Sequence, residues 1–145
     1  MKTIVRTITL MSLAAAFALT SCGKYEDGPG ISLRSKKARL VGEWQLEELE
    51  IEGTDYTADV NRWEWEFKDD EEFRYSLQIE GFDTYAPQGE WSFSNNKEEV
   101  ELTFDDGDRV DLEIKRLTNS ELWFEFTETY DDGSTELWEL KLESK

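Results

Sequence analysis

The 145 residues include 34 acidic and 16 basic side chains, a formal net charge of −18, and no histidine. That balance argues against a nucleic-acid surface, which needs clustered basic residues. With one cysteine and no imidazole, disulfides within the chain and thiolate or imidazole metal sites are excluded, and no cofactor motif is present.

Residues 1–21 read as a signal peptide outside the fold. Lys2 and Arg6 give a basic start, and 7–19 form an apolar run shorter than the roughly 20 residues of a membrane-spanning helix. Leu19-Thr20-Ser21-Cys22 closes the run and resembles the bacterial lipobox, in which cleavage falls before the cysteine and the cysteine is acylated. The resemblance implies that Cys22 is the lipidated N-terminus of the mature protein. It implies anchoring in the cell envelope, at the outer membrane of a Gram-negative bacterium. Several acyl chains on one residue make such an anchor stable. Loss of Lys2 and Arg6 leaves the mature chain still more acidic, and its length suits one domain with a single core.

Residues 22–39 change composition. Gly28-Pro29-Gly30 breaks regular structure, and Arg34, Lys36, Lys37 and Arg39 cluster. Two readings stand: a basic collar near anionic headgroups, or a short helix from Ser32 to Val41, stopped at Gly42 and packed over a barrel end. The helix is preferred.

Strands follow. The first carries Trp44 and Leu46, then Leu49 and Ile51, so its apolar phase shifts near Glu47-Glu48 and predicts a bulge. The second alternates Trp63, Trp65 and Phe67 with outward Glu64 and Glu66; the third alternates Phe73, Tyr75, Leu77 and Ile79 with polar residues. A fourth is expected from about Tyr85 to Ser94, with Trp91 and Phe93 inside and Gly89 as a kink.

The last four strands form two hairpins around Asp105-Asp106-Gly107 and Asp131-Asp132-Gly133. Their apolar residues, Val100, Leu102 and Phe104 before the first turn and Val110, Leu112 and Ile114 after it, all have even numbers; so do Leu122, Phe124, Phe126, Trp138, Leu140 and Leu142. Opposed residues on antiparallel strands share a face, so their numbers must sum to an even value. A two-residue loop would break that parity. Three-residue loops with a left-handed glycine at the third position are therefore predicted. Eight strands with one apolar face each, and no helix long enough for a crossover, are satisfied by closure into an all-β, antiparallel up-and-down barrel.

Gly42-Glu43-Trp44 places a Gly-x-Trp on the first strand of this meander. The pattern resembles the lipocalins, and together with the lipobox the chain looks like the lipocalin-like lipoproteins of Gram-negative bacteria, from about residue 32 to the end. The resemblance implies a lipocalin-like barrel over 40–145, carried on a lipid-anchored tether over 22–39.

Thirteen aromatics have inward phase. Among them Trp44, Trp63, Trp65, Tyr75, Tyr85, Trp91, Phe126 and Trp138 are the candidates for contact with a ligand, because an eight-stranded barrel is either filled by side chains or holds one small molecule. Carboxylates are spread along the chain without a pair that stands out as acid and base, and no nucleophile has a suitable setting, so no enzyme is expected. Asp105, Asp106 and Asp108, or Asp131 and Asp132, offer oxygen ligands to Ca²⁺, but turn chemistry accounts for them better and no metal is expected. Trp123 and Leu137 have outward phase, with Trp123 opposite Lys141 and Leu137 opposite Thr127; an exposed tryptophan there would serve a sugar or protein contact.

Two functions fit. One is a monomeric binding module for a small apolar or aromatic-stacking ligand at a barrel end. The other is a structural or accessory surface lipoprotein whose filled barrel meets an envelope protein or glycan through its outer face. The strands show no inward arginine or lysine, so a neutral or cationic ligand is expected over a fatty acid.

Overall fold

The computed structural model of the chain describes residues 34–145. The signal peptide, Cys22 and the start of the tether lie outside the described residues. The helix expected over Ser32–Val41 is shorter: α1 spans Lys36–Leu40, with the Ser35 hydroxyl accepting the Ala38 N–H at 3.1 Å as its N-cap.

Nine strands follow: β1 (Gly42–Ile51), β2 (Thr54–Asp55), β3 (Val60–Phe67), β4 (Glu72–Ile79), β5 (Gln88–Ser94), β6 (Glu99–Phe104), β7 (Arg109–Leu117), β8 (Glu121–Thr129) and β9 (Thr135–Ser144). All but β2 form the barrel in chain order, and pairing of β1 with β9 closes it. The two-residue β2 merely folds back on the end of β1. The result is the eight-stranded antiparallel up-and-down barrel that the alternation requires.

β1 divides its pairing. Gly42 to Gln45 oppose Phe67 to Glu64 of β3, while Trp44 to Ile51 oppose Ser144 to Trp138 of β9, with a register shift between Leu46 and Glu48. That shift is the bulge that moves the apolar phase from Leu46 to Leu49. Parity holds in both hairpins: Leu102 opposes Val110 and Phe126 opposes Trp138. The Phe104 N–H donates to the Asp108 carbonyl at 2.9 Å, and the Tyr130 N–H to the Ser134 carbonyl at 2.9 Å, leaving three residues in each loop. Gly107 and Gly133 take φ of 97° and 82°.

The fourth strand departs from expectation. It begins at Gln88 rather than Tyr85, and Tyr85 is 56% exposed. Pro87 lacks the N–H a ladder needs, so residues 80–87 run as a loop along β4, attached by Leu77 N–H to the Tyr85 carbonyl (2.8 Å) and Tyr75 N–H to the Pro87 carbonyl (3.1 Å). β4 and β5 pair only at 72–74 with 90–88.

The barrel has two unlike ends. At one, α1 is tied down on several sides: the Trp44 indole N–H donates to the Leu40 carbonyl at 2.9 Å, Arg39 donates to the Leu117 carbonyl at 2.9 Å, Lys36 to the Lys97 carbonyl at 3.1 Å, and Lys37 pairs with Glu71 at 3.1 Å. Leu40 of α1 is buried with Trp44, Phe67, Leu117, Leu122 and Leu142 of the strands at this end, each contributing about 1.5–3 kcal/mol of apolar burial. This end is sealed. The other is framed by the loops after β1, β4, β6 and β8, and there the large exposed hydrophobic residues gather: Tyr56, Ile79, Phe82, Tyr85, Tyr130 and Leu137.

Outside, glutamates stand directly opposite one another on five consecutive strands, Glu99 to Glu113, Glu113 to Glu125, Glu125 to Glu139 and Glu139 to Glu50. Opposed like charges are destabilising. Lys115 offsets part of this, lying 3.0 Å from Glu113 and 3.1 Å from Glu125.

Candidate ligand site at the open end of the barrel

The open end leads into a cavity of about 300 Å³. Strands β3 and β4 supply Trp63, Trp65, Tyr75 and Leu77 to its wall, because alternation turns every second residue inward. Leu102, Phe104, Val110 and Leu112 come from the first Asp-Asp-Gly hairpin, and Phe126, Glu128, Tyr130 and Trp138 from the second. The rings form two groups: Trp65 and Tyr75 stack with centroids 4.6 Å apart and Trp63 and Trp65 at 5.8 Å, while Phe126 and Trp138 stack at 5.8 Å. Stacked and offset rings of this kind bind flat or apolar groups. Among the described residues, the buried indole N–H groups of Trp63 and Trp65 have no acceptor.

Polar groups are few and sit near the mouth. Burial pushes the Tyr75 hydroxyl well above the usual phenol range, with help from neighbouring Tyr85 and the charge of Glu128. Tyr75 is therefore a neutral donor. The Tyr130 hydroxyl donates to Glu136 at 2.7 Å, a bond that also raises its pKa. Neither tyrosine is poised as a base, and the arrangement offers binding surface rather than a reacting pair.

Of the eight residues expected to meet a ligand, Trp63, Trp65, Tyr75, Phe126 and Trp138 line this cavity. Trp44 and Trp91 do not: both are buried toward the sealed end, Trp44 bonded to Leu40 and Trp91 donating to the Lys68 carbonyl at 3.1 Å with Lys37 Nζ 5.7 Å from its ring centre. Tyr85 stands outside the wall, its ring 6.0 Å from that of Tyr75. Glu128 and Tyr130 were missed. Their even numbers continue the phase of Phe124 and Phe126, which was the available signal.

Two other candidates resolve differently. Trp123 is not an open stacking surface, since Arg116 and Lys141 lie 5.0 and 5.4 Å from its ring centre. The turn aspartates bond their own loops: Asp106 accepts the Asp108 N–H at 3.1 Å, and Asp132 accepts both the N–H and the hydroxyl of Ser134, at 2.9 and 2.6 Å.

Over the described residues, a small antiparallel barrel with one end plugged by a helix and the other open over an aromatic cavity defines a cup-shaped, all-β fold. The chain belongs to the lipocalin-like domain family, whose sequence model matches residues 40–124. Among solved structures, a lipocalin-like protein from Bacteroides uniformis aligns with TM-score 0.53 at 15% identity, covering 74% of this chain and 99% of that one. Lobster apocrustacyanin A1 aligns with TM-score 0.51 at 11% identity, covering 74% and 61%, and a complex of bovine odorant-binding protein with a selenium-containing odorant with TM-score 0.51 at 10%, covering 79% and 76%. No curated protein matches the chain.

Proposed function

We propose that this protein is a cell-envelope lipoprotein, held in the membrane by acylated Cys22, whose barrel binds a small apolar or aromatic-stacking ligand without catalysing its conversion. The supporting observation is the cavity of about 300 Å³ walled by Trp63, Trp65, Tyr75, Phe126 and Trp138, which lies at the lower end of the range for small-molecule pockets. An accessory protein acting through a filled barrel and an apolar outer face is the weaker reading, because the core is not filled and Trp123 is covered by cations. The bovine odorant-binding protein, similar in fold, forms a complex with a selenium-containing odorant, which accords with a small-molecule guest.

Binding is tested by tryptophan fluorescence titration with apolar probes of neutral, cationic and anionic type. Saturable quenching is expected from the neutral or cationic probes, and Trp65→Leu should weaken it. Absence of binding by every probe would defeat the proposal.

A further inference from the structure

We propose that the cavity selects a compact organic cation, an amine or quaternary ammonium on a small apolar body, with Glu128 as its counter-charge and the rings of Trp63, Trp65, Tyr75 and Trp138 as its walls. The inference rests on the binding reading above and narrows its ligand class.

Charge complementarity carries it. Among the described residues, Glu128 is the one acidic side chain in the cavity wall, and no lysine or arginine accompanies it there. Across the β8–β9 ladder it stands directly opposite Glu136, so two carboxylates share the same face of paired strands at the mouth. Among the described residues, neither carboxylate has an ion-pair partner within 4 Å, whereas the outward Glu113, Glu125 and Glu48 each meet a lysine. A like-charged pair left without a cation is unfavourable, and a bound cation removes that cost. Glu128 is also near enough to the Tyr75 hydroxyl for its charge to disfavour the phenolate.

The remaining wall gives the second argument. Aromatic faces carry negative quadrupoles that attract a cation more strongly when water is excluded. Trp63 and Trp65 are 6% and 4% exposed, so the small part of each ring that reaches the cavity is shielded from bulk water, and Tyr75 and Trp138 offer the remaining aromatic surface. The volume equals that of about ten waters in the liquid, enough for one ring or short chain with a charged head. A hard divalent ion finds too few oxygens on such a wall.

The experiment is calorimetric titration of the protein as its host processes it, in zwitterionic nanodiscs with empty discs as blank. Three probes share one phenethyl body: phenethyltrimethylammonium, its neutral carbon isostere 3,3-dimethylbutylbenzene, and anionic 3-phenylpropionate, whose head is a smaller carboxylate. The cation is expected to bind about tenfold or more tightly than the isostere, and the anion not at all. Glu128→Gln should abolish the preference of the cation over the isostere, and Glu136→Gln should reduce it. Equal or tighter binding of the neutral isostere to the unaltered protein overturns the inference and leaves the binding function standing. Failure of all three to bind overturns both.

Discussion

The indole N–H of Trp44 donates to the carbonyl of Leu40 at 2.9 Å, and both residues are buried. That carbonyl ends α1, where a helix has no internal donor left to offer, so the tryptophan of Gly-x-Trp joins plug to barrel. Trp44→Phe keeps an aromatic ring, smaller than indole, and loses the bond; a loss of about 1–2 kcal/mol from the bond, added to that of the smaller ring, is expected in urea denaturation. Trp65→Phe removes a buried N–H that has no acceptor and should cost less. Equal losses would show that the Trp44 bond contributes nothing.

Two glycines should respond to alanine for different reasons. Gly133 has φ of 82° and open space where a Cβ would stand, so Gly133→Ala costs about 1 kcal/mol through backbone strain alone. At Gly89 an added Cβ would collide with the Thr103 carbonyl oxygen and lie 2.8 Å from Phe104 Cα, contacts that only separation of β5 from β6 relieves. Gly89→Ala should be clearly the worse of the two in thermal melts.

Much of the fold was legible because alternation fixes the face of every residue. Even-number parity across Asp105–Gly107 and Asp131–Gly133 determined loop length and register together. Alternation carries no information about height along the barrel, however. Trp44 and Trp91 therefore shared the inward phase of Trp63 and Trp65, yet they serve the plug. Tyr85 was misplaced because Pro87 and Gly89 interrupt the ladder after it, and Glu128 was passed over because its phase was hidden by the end of the apolar run.

The outer glutamates give opposite effects two residues apart. Hydrogen bonding with Glu48 is the leading cause that holds the Glu50 carboxyl above its ordinary 4.5, whereas a hydrogen bond from Lys141 holds Glu48 below 4.5. A raised carboxyl stabilises the fold below pH 4.5 and loses that contribution as pH rises through its folded value; a lowered one stabilises above pH 4.5 and loses it on acidification. At pH 7, Glu50→Gln should raise the melting temperature and Glu48→Gln should lower it, both differences shrinking in acid. Added salt should raise the melting temperature of the unaltered protein by screening Glu99, Glu113, Glu125, Glu139 and Glu50 from one another. Melts across pH and salt check all three.

Cys22→Ala should move the protein from the membrane fraction to the soluble one on cell fractionation. Retention of the variant in membranes would refute anchoring by that residue.

Arg34, bonded to Asn119 at 3.2 Å, sits at the barrel end that α1 plugs. Ten residues of β9 at about 3.3 Å each, inclined by about 40° to the axis, put the opening roughly 25 Å from that base. The rim with Phe82 and Tyr130 is thus a full barrel length from the point where Arg34 meets the fold, so a molecule reaching the opening need not pass α1.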